Sequence, residues 1–409
     1  MVKKIVIILT LAALPILLMS TSVFSYYGMP ETYSGRDIYG LGMGGTGIGN
    51  LLRPNTSLKN ASLACQSHYT MFSTGVNFGT INTKDTNNNT SFNGDFSYLP
   101  FFNISVPIFK NRIGLNYQSV ANGKFTSESI NNSSENSFSE IRKADNSIYQ
   151  VDFFYAYKFE QVNIGLAANY LFGHKVDYVK VEFDDSNMIN PKYEIEQSFK
   201  SPGFTVSFSK LINPNFSIGG AVCTPIKLDG KQNYKTVSVN EQVSSDTFEM
   251  PLRTSLGMAF KLDNHLAFAA DIDYDMWSQS DAYNNANDTY RIALGVEFQG
   301  DRSNSNKFKK ISQRIGGAYQ TMPLNSIENN SHELNEASLT YGLSLPVKSN
   351  EARIDFAIKY FNRSSNQTDY KENGVMFSIG TNGFDIFKKP LNRKDHREIP
   401  KPDDIGLYK

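Results

Sequence analysis

Short segments of alternating apolar and polar residues recur across residues 67–387, and this alternation limits the possible fold more than any other feature. One clear example carries on one face Ile292, Leu294, Val296 and Phe298. Its other face carries Arg291, Ala293, Gly295 and Glu297. Successive side chains of a β-strand point to opposite faces, so such segments predict strands with one apolar and one polar face. Alternation alone fits both a soluble sandwich and a transmembrane barrel.

The N-terminus favours the membrane interpretation, because it has the pattern of a secretory signal peptide. Lys3 and Lys4 precede an apolar stretch over residues 5–19, and residues 23–25 (Val-Phe-Ser) offer a cleavage point. We therefore predict a signal peptide over residues 1–25 and a mature chain that starts near Tyr26. The rest of the chain holds no long uncharged apolar run, so we expect no membrane-spanning helices.

The connections between the candidate strands alternate in length. The short set covers residues 109–111, 160–161, 211–214, 262–264 and 347–350, with 300–309 as a longer member. The other set is rich in Asn, Ser, Asp and Thr and covers residues 82–95, 127–145, 184–192, 231–246, 278–287, 324–333 and 362–370. Short periplasmic turns and long extracellular loops are typical of outer-membrane barrels.

The predicted fold is thus all-β, a transmembrane antiparallel β-barrel of about 14 strands over residues 67–387. The candidate strands start near Ser67, Phe96, Arg112, Ser147, Val162, Glu194, Asn215, Phe248, His265, Tyr290, Ile311, Asn335, Ala352 and Glu372. An even strand number places both ends of the mature chain in the periplasm. Tyr and Phe near strand ends, such as Tyr155, Tyr157, Tyr360 and Phe361, can supply the interfacial rings in place of Trp.

Charge and cysteine content exclude other classes of protein. The formal net charge is +0, and loss of Lys3 and Lys4 with the signal peptide makes the mature chain slightly negative, which argues against a nucleic-acid partner. Only Cys65 and Cys223 occur, so a disulfide framework is excluded as the main stabiliser. A single bond stays possible, and two unpaired small apolar residues are the simpler interpretation.

Two segments fall outside the strand pattern. Residues 26–66 include a glycine-rich run in which Gly42, Gly44 and Gly47 satisfy the spacing of a dinucleotide-binding loop, with Gly45 beside them. No strand precedes the run and no βαβ unit surrounds it, so we reject that interpretation. A flexible or tightly packed segment inside the barrel is favoured, because glycine allows close backbone approach. Residues 388–409 are polar and broken by prolines, as expected of a solvated periplasmic tail or of a docking segment.

Several sequence stretches resemble the FadL-type long-chain fatty acid transporters of the outer membrane. They are Ile38 to Gly49 with Lys59 to Ala64, Pro251 to Phe260, Asp271 to Ser278, Arg314 to Tyr319 and Thr340 to Pro346. The resemblance implies a 14-stranded barrel blocked by an N-terminal plug, here residues 26–66. It also implies that hydrophobic ligands enter from outside and leave sideways through a kink in the third strand.

The chain departs from that family in its plug signature and in the tail after Phe387, which is extra. The family's Asn-Pro-Ala plug signature is present only as Asn60 and Ala61, without its proline. The third candidate strand contains Ala121, Asn122 and Gly123, which could form the lateral gate. A plain strand end explains these three residues equally well.

Charged residues at alternate positions predict a network inside the barrel. Asp271, Asp273 and Asp275 share one face of their strand, and apolar neighbours on the other face indicate that the carboxylates point into the lumen. A row of buried like charges is costly without partners. The adjacent strands supply Arg253 and Arg291, and Arg314 and Glu336 extend the band. A structural network, a site for a ligand carboxylate and a metal site are all open, although a calcium loop's glycine and terminal glutamate are missing.

The sequence gives little support for catalysis. The five histidines are scattered, and no serine nucleophile elbow occurs. We therefore expect no enzyme, no cofactor and no resident metal.

The leading hypothesis is passive uptake of a hydrophobic small molecule, such as a long-chain fatty acid, by a monomeric plugged barrel in contact with outer-membrane lipid. Lumen-facing apolar residues such as Phe154 would line its pocket. The alternative is a non-transporting outer-membrane partner protein, an accessory for secretion or surface attachment. A general hydrophilic porin ranks third, because of the plug.

Overall fold

The computed structural model describes residues 22–26, 35–67, 70–132, 137–185, 187–243, 248–280, 287–301, 304–324, 332–347, 352–365 and 368–383. Its helices are all short: Val23–Tyr26, Ile38–Leu41, Ala61–Gln66, Trp277–Gln279 and Phe308–Lys310. None of the described helices is long and apolar enough to cross a membrane. The predicted tail, residues 388–409, lies outside the described residues.

The strands follow in chain order as β1 Met71–Asp85, β2 Thr90–Tyr98, β3 Phe101–Ile108, β4 Asn111–Asn132, β5 Ser137–Phe159, β6 Val162–Phe183, β7 Lys192–Asn213, β8 Phe216–Cys223, β9 Ile226–Thr236, β10 Asn240–Val243, β11 Phe248–Met250, β12 Arg253–Lys261, β13 Leu266–Asp275, β14 Thr289–Phe298, β15 Ser312–Leu324, β16 His332–Pro346, β17 Arg353–Ser364 and β18 Tyr370–Asn382.

These 18 segments form a closed antiparallel barrel of 14 strands, as the sequence predicts. β2 and β3 both pair with β1 and count as one interrupted strand. β8 and β9 both pair with β7, and β10, β11 and β12 together pair with β8 and β9. The pairing of β1 with β18, from Thr74↔Thr381 to Asp85↔Tyr370, closes the barrel.

Most predicted strand starts agree with the structure, but three long predicted loops are largely strand. In 82–95, β1 continues to Asp85 and β2 begins at Thr90; in 231–246, β9 continues to Thr236 and β10 follows at Asn240–Val243. The stretch 127–145 is largely strand, because β4 continues to Asn132 and β5 already begins at Ser137, not near Ser147. β6 likewise continues to Phe183, and all its side chains beyond Leu171 are half-buried. Strands that project beyond the bilayer meet water on both faces, so they need no apolar alternation and their sequence resembles a loop.

The two faces of the wall differ as predicted. Ile292, Leu294 and Phe298 are 44%, 61% and 55% exposed on the outside, whereas Ala293 and Glu297 are 0% and 3% exposed on the inside. An apolar exterior around a polar interior is the surface distribution of a membrane-embedded barrel. The prediction for Phe361 is wrong, because its ring faces the interior and is only 1% exposed.

Aromatic rings on the outer face mark one membrane boundary. Tyr149 lies between Tyr117 and Phe172, with ring centroids 6.0 and 5.7 Å away, and Tyr290 and Tyr319 form a pair at 6.1 Å. From Tyr149 to Tyr157, β5 is roughly 27 Å long. At the usual strand tilt of about 40° this length spans about 20 Å along the membrane normal, comparable to an apolar band about 25 Å tall. We call the level of Tyr117, Tyr149 and Phe172 the upper ring; it lies toward the long connections.

Candidate functional site

Residues 35–67, the N-terminal segment, pack against the inward face of the barrel wall. The segment folds back on itself, because Asp37 N–H donates to the Thr56 carbonyl at 3.1 Å and Leu58 N–H to the Gly35 carbonyl at 2.9 Å. It is held to the wall by side chains, including Asn382, whose amide donates to the Asp37 carboxylate. These contacts place the segment among the inward-facing side chains.

Glycines of this segment lie directly against glycines of the wall. A Cβ on Gly42 would approach the Gly342 Cα to 2.8 Å, and a Cβ on Gly49 would lie 2.1 Å from the Gly257 carbonyl oxygen. Gly44 has φ +73°, and its Cβ would meet the Gly317 oxygen at 2.6 Å. The glycine-rich run therefore allows close backbone approach. Gly45 and Gly47 also have positive φ values, 77° and 137°.

Asn60 and Ala61 connect the segment to two strands. The Asn60 side chain donates to the Ile48 carbonyl at 2.8 Å and the Phe208 carbonyl at 3.0 Å, and it caps the helix Ala61–Gln66 by accepting from Ser62 N–H. Ala61 packs against Phe154, which is 1% exposed. Phe154 thus supports the N-terminal segment, and the cavity beside it has a volume of only about 20 Å³.

The aspartate row points into the lumen, and the N-terminal segment supplies most of its partners. Arg36 Nη2 lies 3.0 Å from Asp271 Oδ2 and 3.3 Å from Asp273 Oδ1. Lys59 and Arg291 lie 3.1 and 3.0 Å from the two oxygens of Asp273. Arg291 also donates to the Gly44 and Gly45 carbonyls, the latter at 3.0 Å. This network ties the segment to β13 and β14.

Arg314 belongs to a second charged group and does not contact the aspartate row. Its guanidinium lies 3.9 Å from Glu297 and 3.7 Å from Asp355. Arg353 binds Asp355 at 2.8 Å. The guanidiniums of Arg314 and Arg353 lie 4.3 and 4.4 Å from the ring of Tyr39, whose hydroxyl donates to Glu297 at 2.9 Å. This group also joins the N-terminal segment to the wall.

Glu336 belongs to a third group, on the wall alone. Lys359 and Arg363 lie 2.6 and 2.7 Å from its two oxygens, and Gln320 donates to it at 3.1 Å. The predicted band of charges is therefore present as separate groups.

Arg253 and Asp275 are opposite one another on β12 and β13, but no ion pair within 4.0 Å joins these two described residues. Arg253 instead donates to Gln150 at 3.3 Å and contacts the Cys223 sulfur at 3.2 Å. The prediction that Arg253 pairs with the aspartate row is wrong. Cys223 and Cys65 are both free and buried.

An apolar cluster lines the lumen at the level of the upper ring. We call it the apolar lumenal cluster; it consists of Val120, Ala121, Ile148, Leu171, Cys223, Ile226, Leu228, Met250 and Trp277, with Phe199 packed against it. Its members come from six strands and from the helix Trp277–Gln279, so the sequence gives no local sign of it. Cavities of about 30 and 50 Å³ adjoin it at Val120 and Arg253.

The wall is irregular beside this cluster. β4 has a bulge between Ser119 and Ala121, with Val120 as the extra residue opposite β5. The pairing of β3 with β4 ends at Phe101↔Gln118, while the described part of β2 pairs with β1. The proposed gate residues Ala121, Asn122 and Gly123 lie directly after the bulge and remain paired with β5. The irregularity thus begins one residue before the predicted gate.

Sequence reasoning missed Arg36, Lys59, Tyr39, Arg353 and Asp355. The first three lie in a segment without strand periodicity, and their partners are more than 200 positions away, as in the 235-residue separation of Arg36 from Asp271. Arg353 and Asp355 alternate on β17 as the aspartates do on β13, so the same reasoning could have identified them. Among the described residues, no group of three or more His, Cys, Asp or Glu side chains could hold a metal ion.

Comparisons with known proteins agree with this architecture. A family model described as BamG matches residues 1–384. The fold is similar to the crystal structure of a Pseudomonas aeruginosa FadL homologue, with 13% identity, a TM-score of 0.62, and coverage of 88% of this chain and 100% of that chain.

Two toluene transporters are also similar in fold. TbuX of Ralstonia pickettii has 15% identity and a TM-score of 0.56, over 88% of this chain and 99% of its own. TodX of Pseudomonas putida has 13% identity and a TM-score of 0.55, over the same shares, 88% and 99%. No curated protein matches the chain in sequence.

Proposed function

The chain belongs to the BamG family, and we propose that it is an outer-membrane transporter for the passive uptake of hydrophobic small molecules. The signal-peptide pattern and the apolar exterior of the barrel support an outer-membrane location. The solved structures with this fold include transporters of toluene. We propose no catalytic role and no cofactor.

The observation that carries the proposal is the position of Val120. This residue is both the extra residue of the β4 bulge and a member of the apolar lumenal cluster. An apolar surface inside the barrel therefore reaches the wall at the place where β3–β4 pairing has ended. A hydrophobic solute held by the cluster would have a short apolar route through the wall there, at the upper ring, and would avoid the charged interior below.

In this proposal the N-terminal segment acts as the plug. Its ion pairs with Asp271 and Asp273 and its contacts with wall glycines hold it across the inward face. Water-soluble molecules would then be excluded from the lower lumen. We propose lateral exit beside Val120, with Ala121, Asn122 and Gly123 forming one side of the gate, and long-chain fatty acids as one substrate class beside aromatic hydrocarbons.

The proposal is tested with purified protein in liposomes. Influx of a labelled long-chain fatty acid, of toluene and of a small sugar is compared with influx into protein-free vesicles. The proposal predicts faster influx of a hydrophobic compound, no sugar leak, and a sugar leak after removal of residues 35–67. Equal influx with and without the intact protein would reject it.

A second candidate function is a non-transporting partner protein in the outer membrane. The observation that favours it is the small size of two lumenal cavities lined by described residues. One is lined in part by Leu41 and Met376 and the other by Lys59 and Pro323, and each measures about 50 Å³, room for a few water molecules. Stable co-purification of another protein with the barrel, together with no facilitated influx, would select this function.

A further inference from the structure

Ser22, Val23 and Phe24 occupy a formed site inside the barrel, although the sequence assigns them to the signal peptide. They are 1%, 5% and 0% exposed. The Ser22 hydroxyl lies 2.8 Å from both oxygens of the Glu372 carboxylate, and Val23 N–H donates to the same carboxylate at 2.9 Å.

The apolar part of this site receives Phe24. Its ring packs with Met322 and Leu334, which are 1% and 0% exposed, and with the half-buried Tyr370. The four residues come from the N-terminus, β15, β16 and β18. Burial of a phenylalanine against three separate strands is a tertiary contact, unlike the transient environment of a signal sequence.

The polar part of the site requires the N-terminal residues. Glu372 is 0% exposed; its other partners include the Thr83 hydroxyl at 3.3 Å and Arg363 at 3.6 Å. Arg363 is shared with Glu336, at 2.7 Å. Removal of residues 22–25 would strip the Glu372 carboxylate of Ser22 and Val23 and leave a hole beside Met322, and both changes are unfavourable in a buried site.

The site also fixes where the described N-terminal residues lie. Glu372 is near the start of β18, at the end of the barrel where the long connections lie. Asn382, whose side chain donates to Asp37, is the last residue of β18. Ten residues of strand separate them, roughly 33 Å. Ser22–Phe24 therefore lie at the end of the barrel that the sequence predicts to be extracellular.

We propose that the signal peptide is cleaved upstream of Ser22, and that residues 22–24 of the mature protein anchor its N-terminus beside Glu372 at the extracellular end of the lumen. This replaces cleavage after Ser25 and an N-terminus in the periplasm. Ser20 and Thr21 are the small residues directly upstream. The proposal does not depend on transport.

The first test is intact-mass measurement and N-terminal sequencing of the protein extracted from outer membranes. An N-terminus at or before Ser22 supports the proposal, and an N-terminus at Tyr26 overturns it.

The second test measures the anchor by a double-mutant cycle on the heat resistance of the folded barrel in SDS. Phe24→Ala and Glu372→Gln should each lower the unfolding temperature by several degrees, and Glu372→Gln should have a smaller effect once Ser22 is Ala, because that substitution removes the hydroxyl that donates to Glu372. Phe308→Ala, at a side chain that is 82% exposed, is the matched control and should leave the temperature unchanged. Purely additive effects would overturn the anchor, and the mass of each variant confirms that processing is unaltered.

Discussion

Arg36 and Asp271 meet at 3.0 Å across 235 positions of sequence, and their side chains are 1% and 0% exposed. The same Asp271 oxygen accepts the Ile48 N–H at 3.0 Å. One wall carboxylate therefore holds two separate points of the N-terminal segment. Because neither charge meets water, each depends on the other for its stability.

Arg36→Met should destabilise the folded barrel strongly, because it leaves Asp271 buried without its charge partner. Removal of one member of a buried pair costs about 3–5 kcal/mol. The measurement is the unfolding temperature in SDS, with Lys175→Met as the control, since the pair Lys175–Asp177 is more than a third exposed on both sides. The double variant Arg36→Met with Asp271→Asn should recover part of the lost unfolding temperature. A double variant whose unfolding temperature falls by the sum of the two single effects would contradict the pairing.

Gly49→Ala should loosen the segment from the wall. The added Cβ would lie 2.1 Å from the Gly257 carbonyl oxygen, which is a backbone atom of the barrel wall. We expect a lower unfolding temperature and a sugar leak in liposomes. Gly317→Ala, whose Cβ would lie 3.3 Å from the Ser338 oxygen, should change both far less. Equal behaviour of the two variants would show that close approach at Gly49 is unimportant.

Asn60→Ala should expose the N-terminal segment to protease without unfolding the barrel. The substitution leaves the carbonyls of Ile48 and Phe208 without their donor and removes the cap of the helix Ala61–Gln66. Each unsatisfied buried group costs about 1–3 kcal/mol. Limited proteolysis followed by mass spectrometry measures the change. Asn60→Asp keeps the cap acceptor but not the donor, so it should be cut as well; a fully protected Asn60→Asp would mean that the cap alone matters.

Leu171→Asn should slow the influx of hydrophobic compounds, because it places an amide in the apolar lumenal cluster, where Leu171 is 0% exposed. Leu171→Met keeps the side chain apolar and close in volume, so its influx should match the wild type. Influx into liposomes is the measurement, and unfolding temperatures show whether both variants are folded. Folded Leu171→Asn protein with unchanged influx would remove the cluster from the route.

The barrel could be predicted from the sequence because its strands obey a local rule. β6 begins at Val162, as the alternation indicates, and the inward direction of Asp271 and Asp273 follows from their spacing. The upper parts of β4 and β5 could not be recognised, because strands in water on both faces carry no such alternation.

The partners of the aspartates could not be predicted from strand periodicity. Arg36 and Lys59 lie in a segment without periodicity, and only the closed barrel brings them to β13. For Arg253, the strand register alone predicts the wrong partner. The register places Arg253 opposite Asp275, but its guanidinium turns to Gln150 and Cys223. Strand register fixes which residues face each other and leaves the direction of a long side chain undetermined.

Deletion of Val120 is the most direct test of lateral passage beside this residue, because it removes the bulge. It leaves a regular ladder in which Ser119 and Ala121 follow each other opposite Tyr149 and Ile148. Val120→Ala keeps the extra residue and serves as the control. If solutes pass beside Val120, the folded and stable deletion variant lowers influx of fatty acid or toluene to the rate of protein-free liposomes, while Val120→Ala retains influx. Undiminished influx in the deletion variant would contradict lateral passage beside Val120.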